Sequence, residues 1–120
     1  MTPRDLHALF DIVYSAELVT EYVKGVSEED FSVDEQLQDA VIRRLSIIGE
    51  ASGRISEAGR NKLSDIAWPQ IRGLRNRLVH EYDDVSLEVV WAIAQTEMAD
   101  LIAIIKPVLP TEDQLSVLDE

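Results

Sequence analysis

A chain of 120 residues has room for one domain with its own core, and 46% hydrophobic with 28% charged residues is an ordinary globular balance. With no cysteine there is no disulfide framework, no thiolate metal site and no cysteine nucleophile. No apolar run approaches the ~18 residues of a membrane span. The formal net charge of −12 argues against general nucleic-acid binding, whose affinity comes mainly from Lys and Arg.

In chain order, Thr2-Pro3 reads as a cap followed by proline at a first helical position. Leu6, Leu9, Val13, Ala16 and Tyr22, widened by Phe10 and Val19, then recur at helical spacing until Gly25. Ser27 to Phe31 reads as a short acidic turn. Ser32-Val33-Asp34-Glu35 has capping-box spacing and opens a second helix over about 33–55, with Leu37, Val41, Leu45, Ile48, Ala51 and Ile55 as its stripe. A helical turn is expected over 56–66. Trp68-Pro69 opens a third helix over about 69–82, with Ile71, Leu74 and Leu78 facing the core. Ser86 caps a last long helix carrying Leu87, Val90, Ala94, Leu101, Ile105 and Val108. Val89, Ile93 and Ile104 give it a second apolar face, and Pro107 and Pro110 end it. No segment alternates with period two for long enough to suggest a sheet. The expected fold is all-α: an antiparallel up-and-down bundle of four long helices with short helical turns. Residues 1–110 form the helical domain and 111–120 an acidic tail. The first residues lack an apolar signal region, so a cytoplasmic location is expected.

The charge is unevenly placed. Residues 43–77 hold eight of the eleven basic residues and three acids, a net of +5, while the other 85 residues carry −17. A solvated pattern and a local anion site both fit this distribution.

Within that segment lies Gly73-Leu74-Arg75-Asn76-Arg77-Leu78, which runs on into Val79-His80-Glu81-Tyr82. On an ideal helix Ile71, Leu74 and Leu78 share one face, and Gly73, Asn76 and His80 share the opposite one. His80 is therefore not read as a core histidine, and Asn76, four residues before it, can touch it. Residues alone leave two accounts open: an exposed polar face, or a site. A histidine can move protons near neutral pH, and an arginine can hold a phosphate through two parallel bonds. His80, Arg75 and the Asn76 amide would suffice for metal-free RNA cleavage, with Arg72 and Arg77 adding binding charge. Arg75 and His80 leave an ideal helix about 140° apart, so one straight helix does not aim both at one atom. A second copy of the helix across a twofold axis would, which predicts a homodimer with a composite cleft. Trp68 and Trp91 read as packing anchors, and Glu50 is expected to pair with Arg54 at i, i+4.

Arg75, four residues, His80, one residue and Tyr82 resemble the signature of HepT-like toxins within the HEPN superfamily. The likeness extends to Asp39-Ala40-Val41-Ile42-Arg43-Arg44-Leu45 with Ile47-Ile48-Gly49-Glu50-Ala51, to Trp68-Pro69-Gln70-Ile71-Arg72, and to Val85 with Val89-Val90-Trp91. It covers about residues 5–106. The resemblance implies a dimeric helical bundle and a metal-independent endoribonuclease, the toxin of a type VII-like toxin–antitoxin module. It implies RNA, such as a tRNA or mRNA, as substrate, no cofactor, and an MNT-type nucleotidyltransferase antitoxin as partner. Carried over, Arg75 and His80 are catalytic, Asn76 assists, and Tyr82 accepts AMP from the antitoxin. The alternative is a non-catalytic helical dimer that binds a nucleotidyltransferase partner and nucleotide, which the net −12 favours.

Overall fold

A computed structural model describes residues 1–78 and 85–111. Described residues form seven α-helices: α1 (Pro3–Val23), α2 (Glu28–Val33), α3 (Glu35–Ser52), α4 (Glu57–Lys62), α5 (Trp68–Arg72), α6 (Leu74–Leu78) and α7 (Leu87–Ile105). A 3₁₀ turn over Lys106–Val108 follows. The fold is all-α, as expected, and the long helices among the described residues are α1, α3 and α7. None of the described helices is long and apolar enough to cross a membrane.

The start of α1 follows the sequence closely. Thr2 accepts a hydrogen bond from the Asp5 N–H at 3.0 Å, Asp5 accepts in return from the Thr2 N–H, and Pro3 needs no partner for its nitrogen. Ala8, Leu9, Ile12, Val13, Ala16 and Val19 line the buried face. Phe10, expected in that stripe, stands 37% exposed instead. The buried face of α1 packs against α3 and α7. Arg54 and Ser56, just past α3, meet Asp11 and Asp5 near the start of α1, so the two helices run antiparallel.

Two expected boundaries move. Ser32 does not cap the second long helix; its hydroxyl donates to the Glu29 carbonyl at 2.6 Å. Asp34 is the cap, accepting from the Leu37 N–H at 3.0 Å. The reason is Phe31: it is buried and stacks on Trp91 with ring centroids 5.1 Å apart, which draws residues 28–33 into a helix of their own. At the other end, α3 stops at Ser52, short of the expected 55. Arg54 therefore leaves the helix and pairs with Asp11 at 2.6 Å, not with Glu50.

The expected helix over 69–82 is broken. Gly73 separates α5 from α6, its N–H donating to the Pro69 carbonyl at 3.0 Å. The core stripe holds across the break, since Ile71, Leu74 and Leu78 are all buried. Residues 79–82 of that expected helix, and the turn expected after Thr111, lie outside the described residues. Trp68 packs as an anchor, as expected. It is 6% exposed, and its indole N–H donates to the carbonyls of Arg60 and Leu63. On α7, Val90, Ile93, Ala94, Met98, Leu101 and Ile105 are buried, whereas Val89 and Ile104 are only partly covered. The second apolar face is thus narrower than its composition suggests.

Candidate functional site

The corner made by α5 and α6 carries the residues singled out from the sequence. Leu74 and Leu78 anchor α6 in the core, at 0% and 2% exposure, which turns Arg75 and Asn76 outward into solvent. Both predicted groups are thus presented by one short, well-seated helix. Gly73 leads into it at the break and shows part of its surface. The backbone there is tight: a Cβ on Gly73 would stand 3.1 Å from the Pro69 carbonyl oxygen. His80 and Tyr82 lie outside the described residues.

The arginines divide by what they touch. Arg77 reaches α7 and grips Glu97 with both ends of its guanidinium, at 3.0 and 2.6 Å. The Glu97 hydrogen bonds raise the arginine's hold on its proton, against a smaller opposing effect of burial. Arg77 is therefore tied to the scaffold, with its fork already filled. Arg54 is spent on Asp11, and Arg44 lies over the Tyr14 ring at 5.7 Å. Arg72 and Arg75 are exposed and form no ion pair among the described residues. Of the cations predicted to meet substrate, the structure thus presents Arg72 and Arg75 to solvent and commits Arg77 to Glu97.

Beside this corner is an open groove of about 640 Å³. Arg60, Asn61 and Ser64 form one wall, Arg72 and Gly73 the other, and Trp68 lies between. Among the described residues, no carboxylate lines it. Arg60 uses one N–H on the Ile55 carbonyl at 2.6 Å, which sets the direction of its side chain. Sequence reasoning placed Arg60 in the basic segment but did not single out Asn61 or Ser64. The one available signal was their place in the short turn before Trp68-Pro69. The Glu97 clamp, twenty residues from Arg77, left no local signal at all.

A second polar cluster lies where α1 meets α4. Asp5 is 1% exposed and accepts from the Ser56 N–H at 2.8 Å and the Ser56 hydroxyl at 2.7 Å, besides Thr2. Burial pushes its carboxyl up, but the hydrogen bonds from Ser56 and Thr2 outweigh burial and hold it below the usual aspartate range. Gly59 allows the approach, because a Cβ there would come within 2.8 Å of the carboxylate and 2.9 Å of Ile55. With every bond internal, this cluster is a structural joint.

The sequence pattern of the family described as "Ribonuclease HepT-like" matches residues 12–108. A protein of Caldanaerobacter subterraneus subsp. tengcongensis named "Putative RNase" is 38% identical over 111 residues, 92% of this chain and 97% of its own. A "Putative RNase" of Methanocaldococcus jannaschii is 37% identical over 99 residues, 82% of this chain and 91% of its own. A "Probable ribonuclease HepT" of Thermococcus cleftensis is 36% identical over 93 residues, 78% of this chain and 84% of its own. No solved structure matches the chain significantly.

Proposed function

The chain belongs to the HepT-like ribonuclease family, and on that premise we propose that it is a metal-independent endoribonuclease acting through Arg75, Asn76 and His80. The observation that carries this reading is the presentation of α6. Leu74 and Leu78 are buried while Arg75 and Asn76 face solvent, five and four residues ahead of His80 in the chain.

The chemistry follows from the groups. The neutral His80 imidazole takes the proton of a ribose 2′-hydroxyl, and that oxygen attacks the adjacent phosphorus. The bond from phosphorus to the 5′-oxygen breaks. The 5′-oxygen receives a proton from the imidazolium, leaving a 2′,3′-cyclic phosphate and a 5′-hydroxyl. Arg75 stabilises the charge that gathers on the non-bridging oxygens, and its guanidinium stays charged throughout. The Asn76 amide donates to the same phosphate. A homodimer brings the groups of two copies to one cleft, which meets the angular separation of positions 75 and 80 on a helix.

Regulation belongs to the same reading. A nucleotidyltransferase antitoxin transfers AMP from ATP to the Tyr82 hydroxyl and releases pyrophosphate. The added phosphodiester charge and nucleoside then repel and block an RNA phosphate beside the cleft. Together toxin and antitoxin form the module.

Cleavage of a mixed RNA pool in the presence of EDTA tests the catalytic assignment. Wild type should cut, and His80→Ala and Arg75→Ala should not, with the dimer intact by light scattering. Activity surviving both substitutions would remove the assigned site. The net charge of −12 favours a second reading, a non-catalytic dimer that binds a nucleotidyltransferase and nucleotide. A wild type that cuts no RNA would leave that reading in place. Mass spectrometry after incubation with the partner and ATP should show AMP added to wild type and not to Tyr82→Phe.

A further inference from the structure

The groove beside the α5–α6 corner takes no part in the bond-breaking step, yet its lining is the reverse of the molecule's surface charge. On a chain of net charge −12, it presents Arg60 and Arg72, the Asn61 amide and the Ser64 hydroxyl, and no carboxylate among the described residues. Asp65, the acid within this turn, lines a different hollow against α7. Two guanidinium groups, an amide and a hydroxyl form a donor-rich set suited to an anion.

The walls are braced. The Trp68 indole holds the carbonyls of Arg60 and Leu63 at 3.1 and 3.0 Å, fixing the end of α4 against the start of α5. The Ile66 N–H donates to the Leu63 carbonyl and the Trp68 N–H to the Ile66 carbonyl, so the segment between the two walls is closed by its own backbone. Arg60 is steered by its bond to the Ile55 carbonyl, which leaves its remaining N–H groups for other acceptors. Donors fixed before a ligand arrives lose little freedom when it binds.

Position supplies the last step. Gly73 lines the groove and stands two residues before Arg75, so by chain geometry their Cα atoms are at most about 7 Å apart. The groove is therefore within reach of a strand whose scissile phosphate rests on Arg75.

We propose that Arg60, Asn61, Ser64 and Arg72 form a seat for a second, non-scissile phosphate of the RNA strand, which fixes the strand's register against Arg75. This rests on the ribonuclease reading above and adds a binding subsite to it. The acidic body repels long nucleic acid, and the groove supplies a short stretch of attraction beside the cleft.

Binding of a fluorescently labelled short single-stranded RNA tests the seat, measured by anisotropy across salt concentrations. The strand carries 2′-O-methyl riboses, which lack the attacking hydroxyl. Arg72→Ala, and separately the exposed pair Asn61→Asp with Ser64→Asp, should weaken binding about tenfold. Arg72→Ala should reduce the slope of log K against log salt by about 0.7, the value for one phosphate on a single strand. Lys24→Ala, an exposed cation outside the groove, should change neither. On cleavable RNA the groove variants should raise KM and leave kcat within twofold.

An Arg72→Ala protein with unchanged affinity and slope overturns the seat. An equal loss in Lys24→Ala overturns it as well, since bulk charge would then be the cause. The ribonuclease reading fails separately. If wild type cuts no RNA but binds the methylated strand with the expected dependence on Arg72, cleavage is lost and the seat stands. If wild type binds no RNA, both fall.

Discussion

At the α1–α4 joint a carboxylate is buried at 1% exposure and all its hydrogen bonds are answered within the chain. At the α5–α6 corner, Arg72 and Arg75 stand in solvent with no ion pair among the described residues. Both regions are built from polar groups beside a short helix, α4 at the joint and α6 at the corner, next to the same core. In the joint, charge closes a contact between two segments 51 residues apart in sequence. At the corner, Leu74 and Leu78 already hold the helix, so its seating does not depend on what the charges meet. A polar group whose removal harms the fold and one whose removal harms only activity can thus be told apart by what seats the backbone beneath it.

Substitutions at the two regions should separate stability from activity. The largest effect is expected at the corner. Arg75→Ala should lower kcat by about 10² to 10³, the usual loss when one donor to a developing charge is removed. Its urea midpoint should stay at the wild-type value, because the side chain is exposed. A matching fall in stability would abolish the distinction between the regions. At the joint the pattern should invert. Asp5→Ala leaves the Ser56 N–H and hydroxyl without their acceptor, at a cost of about 2–3 kcal/mol measured by urea unfolding. Activity measured well below the unfolding transition should persist. The carboxyl is held below its ordinary value in the folded state, so its contribution is fully present above about pH 4. It is lost as pH falls from there through the lower folded value. Asp5→Asn should flatten that part of the stability profile, and an unchanged profile would show that another group causes the acid loss.

Local patterns were legible in the sequence wherever one residue type decides the outcome. Thr2-Pro3 fixed where α1 begins, and Ile71, Leu74 and Leu78 marked the buried face on both sides of the break at Gly73. The Arg75–Asn76 presentation follows from that stripe, so the outward face of α6 is legible in the sequence itself. Contacts between distant segments could not. Ser32 and Asp34 both have the chemistry of a cap, and the choice was made by Phe31 packing on Trp91, sixty residues away. The i, i+4 spacing of Glu50 and Arg54 offered a pair that the end of α3 at Ser52 withdrew. Asn61 and Ser64 gained meaning only when the turn folded back beside Arg72. Arg77 looked equivalent to its neighbours until Glu97, on another helix, filled its fork.

Arg77 gives the next test, because it sits at the corner but behaves like the joint. Its pair with Glu97 is partly exposed, with side chains at 32% and 30%, so solvent screens it and Glu97→Gln should cost about 1 kcal/mol or less. Arg77→Ala should leave the salt slope of RNA binding at the wild-type value, in contrast to Arg72→Ala. A slope reduced as far as in Arg72→Ala would mean that Arg77 leaves Glu97 to meet phosphate.

The smallest effect is expected at Ser15. Its hydroxyl is buried on α1 and has no hydrogen-bond partner among the described residues. Removing an unanswered polar atom relieves its desolvation cost, and the alanine methyl group keeps the Cβ packing. Ser15→Ala should therefore be neutral or stabilising by up to about 1 kcal/mol, whereas Ser56→Ala, which removes a hydroxyl that donates to Asp5 and caps α4, should be destabilising by about 1–2 kcal/mol. The two substitutions delete the same atom type from the same bundle. If both cost the same in urea unfolding, the answered bonds of the joint would not be what holds α4 against α1.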